Sequence, residues 1–147
     1  MDKMAPVTIL VVEDDEGQSF LIEKHLKRSG IVNNIVHCGS GQDAADYIWA
    51  KGPHANRAKN GPLVVLLDIK LPGMDGIELL QRIKADPATK NIPVLLLTTT
   101  SDPRDIAKCY ELGCSGYVTK PLEADAFSEA IRRIGLFIQV VSLPQES

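Results

Sequence analysis

The chain has 147 residues, of which 44% are hydrophobic and 24% charged, and its formal net charge is −3. This length favours one domain with its own core and leaves no room for a second, and the composition is that of a folded domain rather than a disordered chain or a coiled coil. The slight acidity argues against a basic face for nucleic acid, so nucleic acid is not an expected partner.

Neither end of the chain predicts a membrane segment. Residues 1–6 lead straight into the first apolar run without a charged-then-apolar leader, and no apolar run is long enough to span a bilayer. Cys38, Cys109 and Cys114 lack Cys-x-x-Cys spacing and are expected to be buried free thiols. We therefore expect a cytoplasmic protein without disulfides.

Short apolar runs alternate along the chain with stretches of helical period. This alternation predicts βαβ units and a parallel sheet, hence an α/β doubly wound fold. The five predicted strands are Val7–Val12, Asn34–Cys38, Leu63–Leu67, Val94–Leu97 and Gly116–Thr119.

Five helices are predicted between and after these strands. Most are marked by an N-terminal cap, a proline at the first helical position or a terminal glycine. In chain order they are Glu16–Arg28, a helix capped by Ser40, a helix from Asp75 to the break at Asp86, a helix from Asp102 to Gly113, and a helix from about Glu123 with Phe127, Ala130, Ile131, Ile134 and Ile138 at helical spacing.

Two segments depart from this repeat. The connection 51–62 is longer and more basic than a turn between a helix and a strand, and we expect His54 and its basic neighbours to form a solvated loop. The tail after the fifth helix, residues 139–147, stays apolar at Val140, Val141 and Leu143. An apolar surface of this kind usually marks an interface.

Polar residues stand where the apolar runs end. Glu13 and Asp14 follow the first run, Asp68 the third, Thr98 the fourth and Lys120 the fifth. Ligands of open parallel sheets bind beyond the carboxyl ends of the strands, so these side chains are expected to share one pocket.

The three acids of this predicted pocket indicate a metal site. Carboxylates as close as Glu13, Asp14 and Asp68 would repel one another unless a cation lies between them. Hard oxygen ligands without histidine or cysteine favour Mg²⁺ over Zn²⁺.

Lys120 and Thr98 extend the prediction from metal binding to chemistry. An ammonium and a hydroxyl are groups that bind phosphate oxygens, and a metal site alone would not need them. Together with Asp68 as nucleophile, they predict phosphoryl transfer to a carboxylate, which gives an aspartyl phosphate.

Four blocks of the chain, in the usual order, closely resemble the signature blocks of two-component response-regulator receiver domains. The resemblance implies a flavodoxin-like receiver fold over residues 1–138, with sheet order 2-1-3-4-5 and five helices. The blocks are Val11–Asp15, Leu66–Gly76, Val94–Thr98 and Gly116–Pro121.

The resemblance also implies a role for each pocket residue. Asp68 would be the phospho-acceptor of a histidine kinase, and Glu13 and Asp14 would hold Mg²⁺ together with Asp68 itself and the backbone carbonyl of Lys70. Glu13 stands where many receivers have aspartate, so its longer side chain should still reach the metal.

By the same resemblance, Thr98 and Lys120 would contact the phosphoryl group. Tyr117 would be the aromatic residue whose rotamer follows Thr98, and the two would form the switch. The protein would then be a binding switch that catalyses its own phosphotransfer and autodephosphorylation, not a turnover enzyme.

The long connection and the apolar tail resemble those of single-domain regulators that pair with phytochrome-type histidine kinases. That subgroup lacks an output domain, so signalling would pass through a partner or an oligomer. We expect a symmetric homodimer built from the half of the chain after about Asp102, including the tail.

Two rival functions use a similar fold or similar chemistry. A flavin-binding module would need a phosphate cradle after the first strand, where this chain has acids. The alternative function is a metal-dependent phosphatase with an aspartate nucleophile, which needs a second acid two residues after Asp68, where this chain has Lys70. Turnover of a small phosphomonoester distinguishes the phosphatase from the switch.

Overall fold

A single parallel sheet organises the domain. The computed structural model describes residues 7–28, 30–57, 62–99, 102–120, 125–126 and 129–130. Five parallel strands lie in the order β2-β1-β3-β4-β5. The predicted sheet and its order are confirmed, and every strand lies within one residue of its predicted bounds. The strands are β1 (Thr8–Val12), β2 (Ile35–Cys38), β3 (Leu63–Asp68), β4 (Val94–Thr98) and β5 (Gly116–Thr119).

Among the described residues, four α-helices connect these strands, and a short 3₁₀ helix (Gly52–His54) follows the second of them. The predicted caps are confirmed: Ser40 Oγ accepts from the Asp43 N–H at 3.0 Å, and Asp75 accepts from the Glu78 N–H at 2.8 Å. Within the described residues, no helix combines the length and apolar character that a membrane span needs. The helices are α1 (Glu16–Arg28), α2 (Gly41–Trp49), α3 (Gly76–Ala85) and α4 (Pro103–Glu111).

Only a small part of the predicted fifth helix is described. Residues 125–126 and 129–130 are helical, and Ala130 packs against the core. The remainder of that helix and the tail 139–147 lie outside the described residues, so the prediction of five helices stays a prediction.

The sheet buries both of its faces, as a parallel sheet should. One face carries Leu10, Val65 and Leu96 toward α2 and α3, and the other carries Ile9 and Leu66 toward α1. All three cysteines are buried and free, as predicted. The strands are therefore rigid supports for the residues at their carboxyl ends.

The connection after α2 is better ordered than expected. The guanidinium of Arg57 donates to the carbonyl oxygens of Tyr47 at 2.6 Å and Ile48 at 3.1 Å and stacks 4.2 Å above the Tyr47 ring. His54 Nε2 lies 2.9 Å from an Asp43 oxygen. The prediction of a solvated loop is wrong for these two residues, because they satisfy carbonyls at the C-terminus of α2 and an acid at its N-terminus.

Candidate functional site

The register of the sheet brings the predicted pocket residues to one edge. Val12 pairs with Leu67, so Glu13 lies level with Asp68, and Asp68 pairs with Leu97. Thr98 pairs with Thr119, the residue before Lys120. Four strand ends therefore meet at the carboxyl edge of the sheet, as predicted from the sequence.

Lys120 holds the centre of this pocket. Its ammonium lies 2.6 Å from Glu13 Oε1 and 3.3 Å from Asp68 Oδ2, although 107 positions separate Lys120 from Glu13. The three side chains are nearly buried, with 11%, 2% and 9% of their surfaces exposed for Lys120, Glu13 and Asp68. One ammonium thus compensates two carboxylates that would otherwise repel each other in a medium of low polarity.

Burial and charge shift the proton affinities of this cluster. Burial raises the pKa of Glu13, the Lys120 hydrogen bond opposes that shift, and the neighbouring Asp68 charge adds to it. Burial alone would lower the pKa of Lys120, but its hydrogen bond to Glu13 and the charge of Asp68 outweigh burial and raise it. Lys120 is therefore held as an ammonium ion.

Asp14 is the solvent-exposed member of the acidic cluster. It is exposed, whereas Glu13 and Asp68 are buried, and one carboxylate oxygen from each of the three lies within 4.8 Å of the others. An all-oxygen set with one exposed ligand fits a hard divalent cation, because Mg²⁺ combines one or two carboxylates with several waters. The described residues at this edge thus fit a magnesium site by ligand type and spacing.

The turn after β3 positions Asp68 tightly. The Lys70 N–H donates to Asp68 Oδ1 at 3.3 Å, and the Gly76 N–H donates to the carbonyl oxygen of Ile69 at 2.8 Å. A Cβ at position 76 would lie 2.4 Å from the carbonyl oxygen of Asp68, so only glycine fits there. This steric requirement at Gly76 was not predicted from the sequence. The position of Gly76 directly after Asp75, the cap of α3, was the signal that could have indicated it.

Thr98 and Tyr117 occupy different surroundings. Thr98 is 3% exposed at the end of β4, and its carbonyl oxygen accepts from the Lys120 N–H at 2.7 Å. Tyr117 is 36% exposed, and its ring packs edge-on against Tyr110 of α4 at 6.0 Å. Sequence reasoning missed Tyr110, because nothing in the local pattern pairs a residue of α4 with one of β5.

The fold is a doubly wound α/β domain whose acids, hydroxyl and lysine lie at the carboxyl ends of adjacent strands, where domains of this class bind their ligands. The family model described as "Response regulator receiver domain" matches residues 9–132. The chain belongs to that family, and the resemblance found in its sequence is confirmed.

Three relatives illustrate the match. Response regulator Rcp1 of Synechocystis sp. (strain ATCC 27184 / PCC 6803 / Kazusa) is 34% identical over 95% of this chain and 94% of its own length, and it also has a solved Mn²⁺-bound form. Bacteriophytochrome response regulator RtBRR has a TM-score of 0.81 and 37% identity, covering 89% of this chain and 79% of that one. The phosphorylated cyanobacterial phytochrome response regulator RcpA has a TM-score of 0.78 and 32% identity, covering 97% of this chain and all of that one (100%).

Proposed function

We propose that this receiver domain is a phosphorylation-controlled switch whose acceptor is Asp68. The observation that carries the proposal is the ammonium of Lys120, which lies 2.6 Å from Glu13 and 3.3 Å from Asp68 at buried strand ends. An acid held beside a fixed positive charge can accept a phosphoryl group whose oxygens need that charge. Membership of the receiver family supports the same assignment.

The donor in this proposal is the phosphohistidine of a histidine kinase. A carboxylate oxygen of Asp68 attacks phosphorus, the phosphorus–nitrogen bond breaks, and the imidazole keeps the electron pair. The product is an aspartyl phosphate with one more negative charge than the aspartate had. Lys120 and the hydroxyl of Thr98 then bind phosphoryl oxygens, which reproduces the roles that the family resemblance implies.

Mg²⁺ is the proposed cofactor. Glu13, Asp14, Asp68 and the backbone carbonyl of Lys70 would hold it, and when bound it neutralises charge on the phosphoryl oxygens. The spacing of the three carboxylates supports this ligand set, as does the Mn²⁺-bound form of the relative Rcp1. Because no acid follows Asp68 at position 70, where Lys70 is exposed, this chain lacks the general acid of an aspartate phosphatase.

Signal output would pass through the surface formed by α4 and β5. Tyr117 of β5 and Tyr110 of α4 pack edge-on at that surface, and Lys120 directly follows the last residue of β5. Movement of Thr98 toward a phosphoryl group would free space for Tyr117 and change this face without turnover of a substrate. A switch of this kind acts through partner binding.

The proposed partner is a phytochrome-type histidine kinase in the cytoplasm, because RtBRR and RcpA, which are named as phytochrome response regulators, resemble this chain over most of their length. We also propose a symmetric homodimer formed by residues after about Asp102 together with the tail 139–147. Sedimentation of the chain with and without residues 139–147 tests the dimer, and a parent that is monomeric at every concentration, phosphorylated or not, contradicts it.

Intact-mass spectrometry after incubation with a small phosphodonor and Mg²⁺ tests the acceptor. The parent should gain one phosphoryl group, and Asp68→Asn should gain none, because the amide keeps the shape and removes the nucleophilic oxygen. Asp15→Asn is the matched control, since Asp15 is exposed and caps α1 through the Gln18 N–H. Undiminished incorporation in Asp68→Asn would refute the assignment, and sustained hydrolysis of a phosphomonoester would favour the phosphatase.

A further inference from the structure

A second cluster of metal-ligating side chains lies beside α2 and shares no residue with the acidic pocket. Cys38 ends β2, Asp43 lies in the first turn of α2, and His54 ends the 3₁₀ helix. One ligand atom from each lies within 4.8 Å of the other two. We propose that Cys38, Asp43 and His54 bind a thiophilic divalent cation such as Zn²⁺.

The ligand types separate this cluster from the acidic pocket. Sulfur, imidazole nitrogen and carboxylate oxygen are the ligand set of Zn²⁺, whereas Mg²⁺ takes oxygen alone. Ligand atoms of a tetrahedral zinc site lie about 3.3–3.7 Å apart, given bonds of about 2.0–2.3 Å. From separations of at most 4.8 Å, the Cys38 sulfur needs to approach the other two ligand atoms by no more than about 1.5 Å, and the Asp43–His54 contact of 2.9 Å needs to widen slightly.

The neighbours of this cluster already hold its ligands in place. Ser40 Oγ accepts from the Asp43 N–H at 3.0 Å, which fixes the first turn of α2. The His54 ring packs edge-on against Tyr47 at 5.3 Å, and Arg57 stacks on the same tyrosine. Fixed surroundings of this kind orient metal ligands and reduce the entropy lost on binding.

One side of the cluster faces solvent. Cys38 is buried, whereas the side chains of Asp43 and His54 are 39% and 27% exposed. An ion can therefore enter from the Asp43 and His54 side, and a water molecule can complete a fourth position. The two side chains now form a contact of 2.9 Å, which a bound ion would replace with two stronger bonds.

Binding exchanges a proton for the ion. Burial, with the nearby Asp43 charge, raises the pKa of the Cys38 thiol to about 12, so the thiol is protonated at neutral pH. The sulfur–zinc bond forms as the sulfur–hydrogen bond breaks, and the proton goes to solvent. The ion would tie the connection that carries His54 and Arg57 to the end of β2, whose Cys38 carbonyl oxygen accepts from the Glu13 N–H at 3.0 Å.

The test is titration of the full chain with Co²⁺ and then Zn²⁺ in saturating Mg²⁺, which occupies the acidic pocket. We expect one Co²⁺ per chain, a near-ultraviolet charge-transfer band from the cobalt–thiolate bond, and displacement of Co²⁺ by Zn²⁺. Cys38→Ser should lose the band, and His54→Gln should weaken binding about tenfold or more. Cys109→Ser, which removes another buried thiol, and Asp14→Ala, which alters the acidic pocket, should change neither.

Each of the opposite results overturns the proposal. If the parent shows no charge-transfer band, it forms no metal–sulfur bond. If Cys109→Ser loses the band, the sulfur ligand is Cys109 and not Cys38. Loss of binding in Asp14→Ala assigns the ion to the acidic pocket. If Cys38→Ser fails to fold by circular dichroism, His54→Gln decides alone, since its side chain is partly exposed: weaker binding supports the site, and unchanged affinity refutes it.

Discussion

Replacing Lys120 with methionine tests the central electrostatic feature of the acidic pocket. Methionine keeps most of the aliphatic volume and removes the charge, so Glu13 and Asp68 would face each other without compensation. At an effective dielectric constant of 20, the contacts of 2.6 and 3.3 Å correspond to about 6 and about 5 kcal/mol of gross attraction. Desolvation of the ammonium and the acids offsets much of this attraction.

We expect a net loss of about 3 kcal/mol in the free energy of unfolding, at the low end of what breaking a buried ion pair costs, because Lys120 keeps 11% of its side chain exposed. In a domain of this size, that loss lowers Tm by about 6–12 °C. Lys24→Met is the matched control, since Lys24 is exposed and should change stability by less than about 0.5 kcal/mol.

The stability lost in Lys120→Met should depend on pH, and the pKa of Glu13 gives the direction of this dependence. The pKa of Glu13 is already raised above its ordinary value of 4.5, and removing Lys120 raises it further. An acid with a raised pKa in the folded state contributes stability below its unfolded pKa, and that contribution is lost as pH rises through the folded value. The difference between variant and parent should therefore be largest near neutral pH and shrink toward about pH 4.5.

Urea unfolding at about pH 7.5 and about pH 5 measures the loss of stability and its pH dependence, first in EDTA and then in buffer without EDTA that contains millimolar Mg²⁺. Mg²⁺ should restore part of the stability of Lys120→Met, because a cation again lies among the carboxylates. A loss below about 0.5 kcal/mol at neutral pH, or the same loss at both pH values, would refute the account of Lys120 as the compensating charge.

Two further predictions concern the ligands and the turn. Asp14→Ala should weaken Mg²⁺ binding about tenfold or more, measured by calorimetry, whereas Asp15→Ala should lose a helix cap but keep its affinity; equal affinities in both would exclude Asp14 as a ligand. Gly76→Ala should cost about 1–3 kcal/mol in urea unfolding and slow phosphorylation, because its Cβ would lie 2.4 Å from the Asp68 carbonyl oxygen. Gly39→Ala, with no atom within 4 Å of its added Cβ, is the control, and equal behaviour of the two would refute the steric argument.

The strands and caps could be predicted because their signals are local. The run Leu63–Leu67 is buried along its whole length, as a central parallel strand covered on both faces requires. Asp75 sits three residues before Glu78, which is the spacing that an N-terminal cap requires, and the hydrogen bond has the expected partner. Convergence of the strand ends then follows from the topology of the sheet rather than from any one residue.

The contacts made by the connection after α2 and by Lys120 could not be predicted in the same way. Arg57 and His54 stand in a polar, basic stretch, and only the folded position of α2 provides the carbonyls and the acid that they bind. Lys120 was expected to meet a phosphoryl group, whereas it contacts Glu13 across 107 positions. Pairings of this kind depend on the register of the sheet, which the sequence does not encode locally.

The charges of the pocket explain how these parts could work as a switch. The three carboxylates and Lys120 carry a formal net charge of minus two, which one divalent cation balances. Phosphorylation of Asp68 would add about one more negative charge, and the ammonium of Lys120 is the positive group already within reach of it. The backbone N–H of Lys120 donates to the Thr98 carbonyl oxygen at 2.7 Å, so the main chain links the residue that would bind the phosphoryl group to the end of β4. Under the proposed function, these contacts would couple phosphorylation of Asp68 to the end of β4 and to Tyr117 of the neighbouring strand β5.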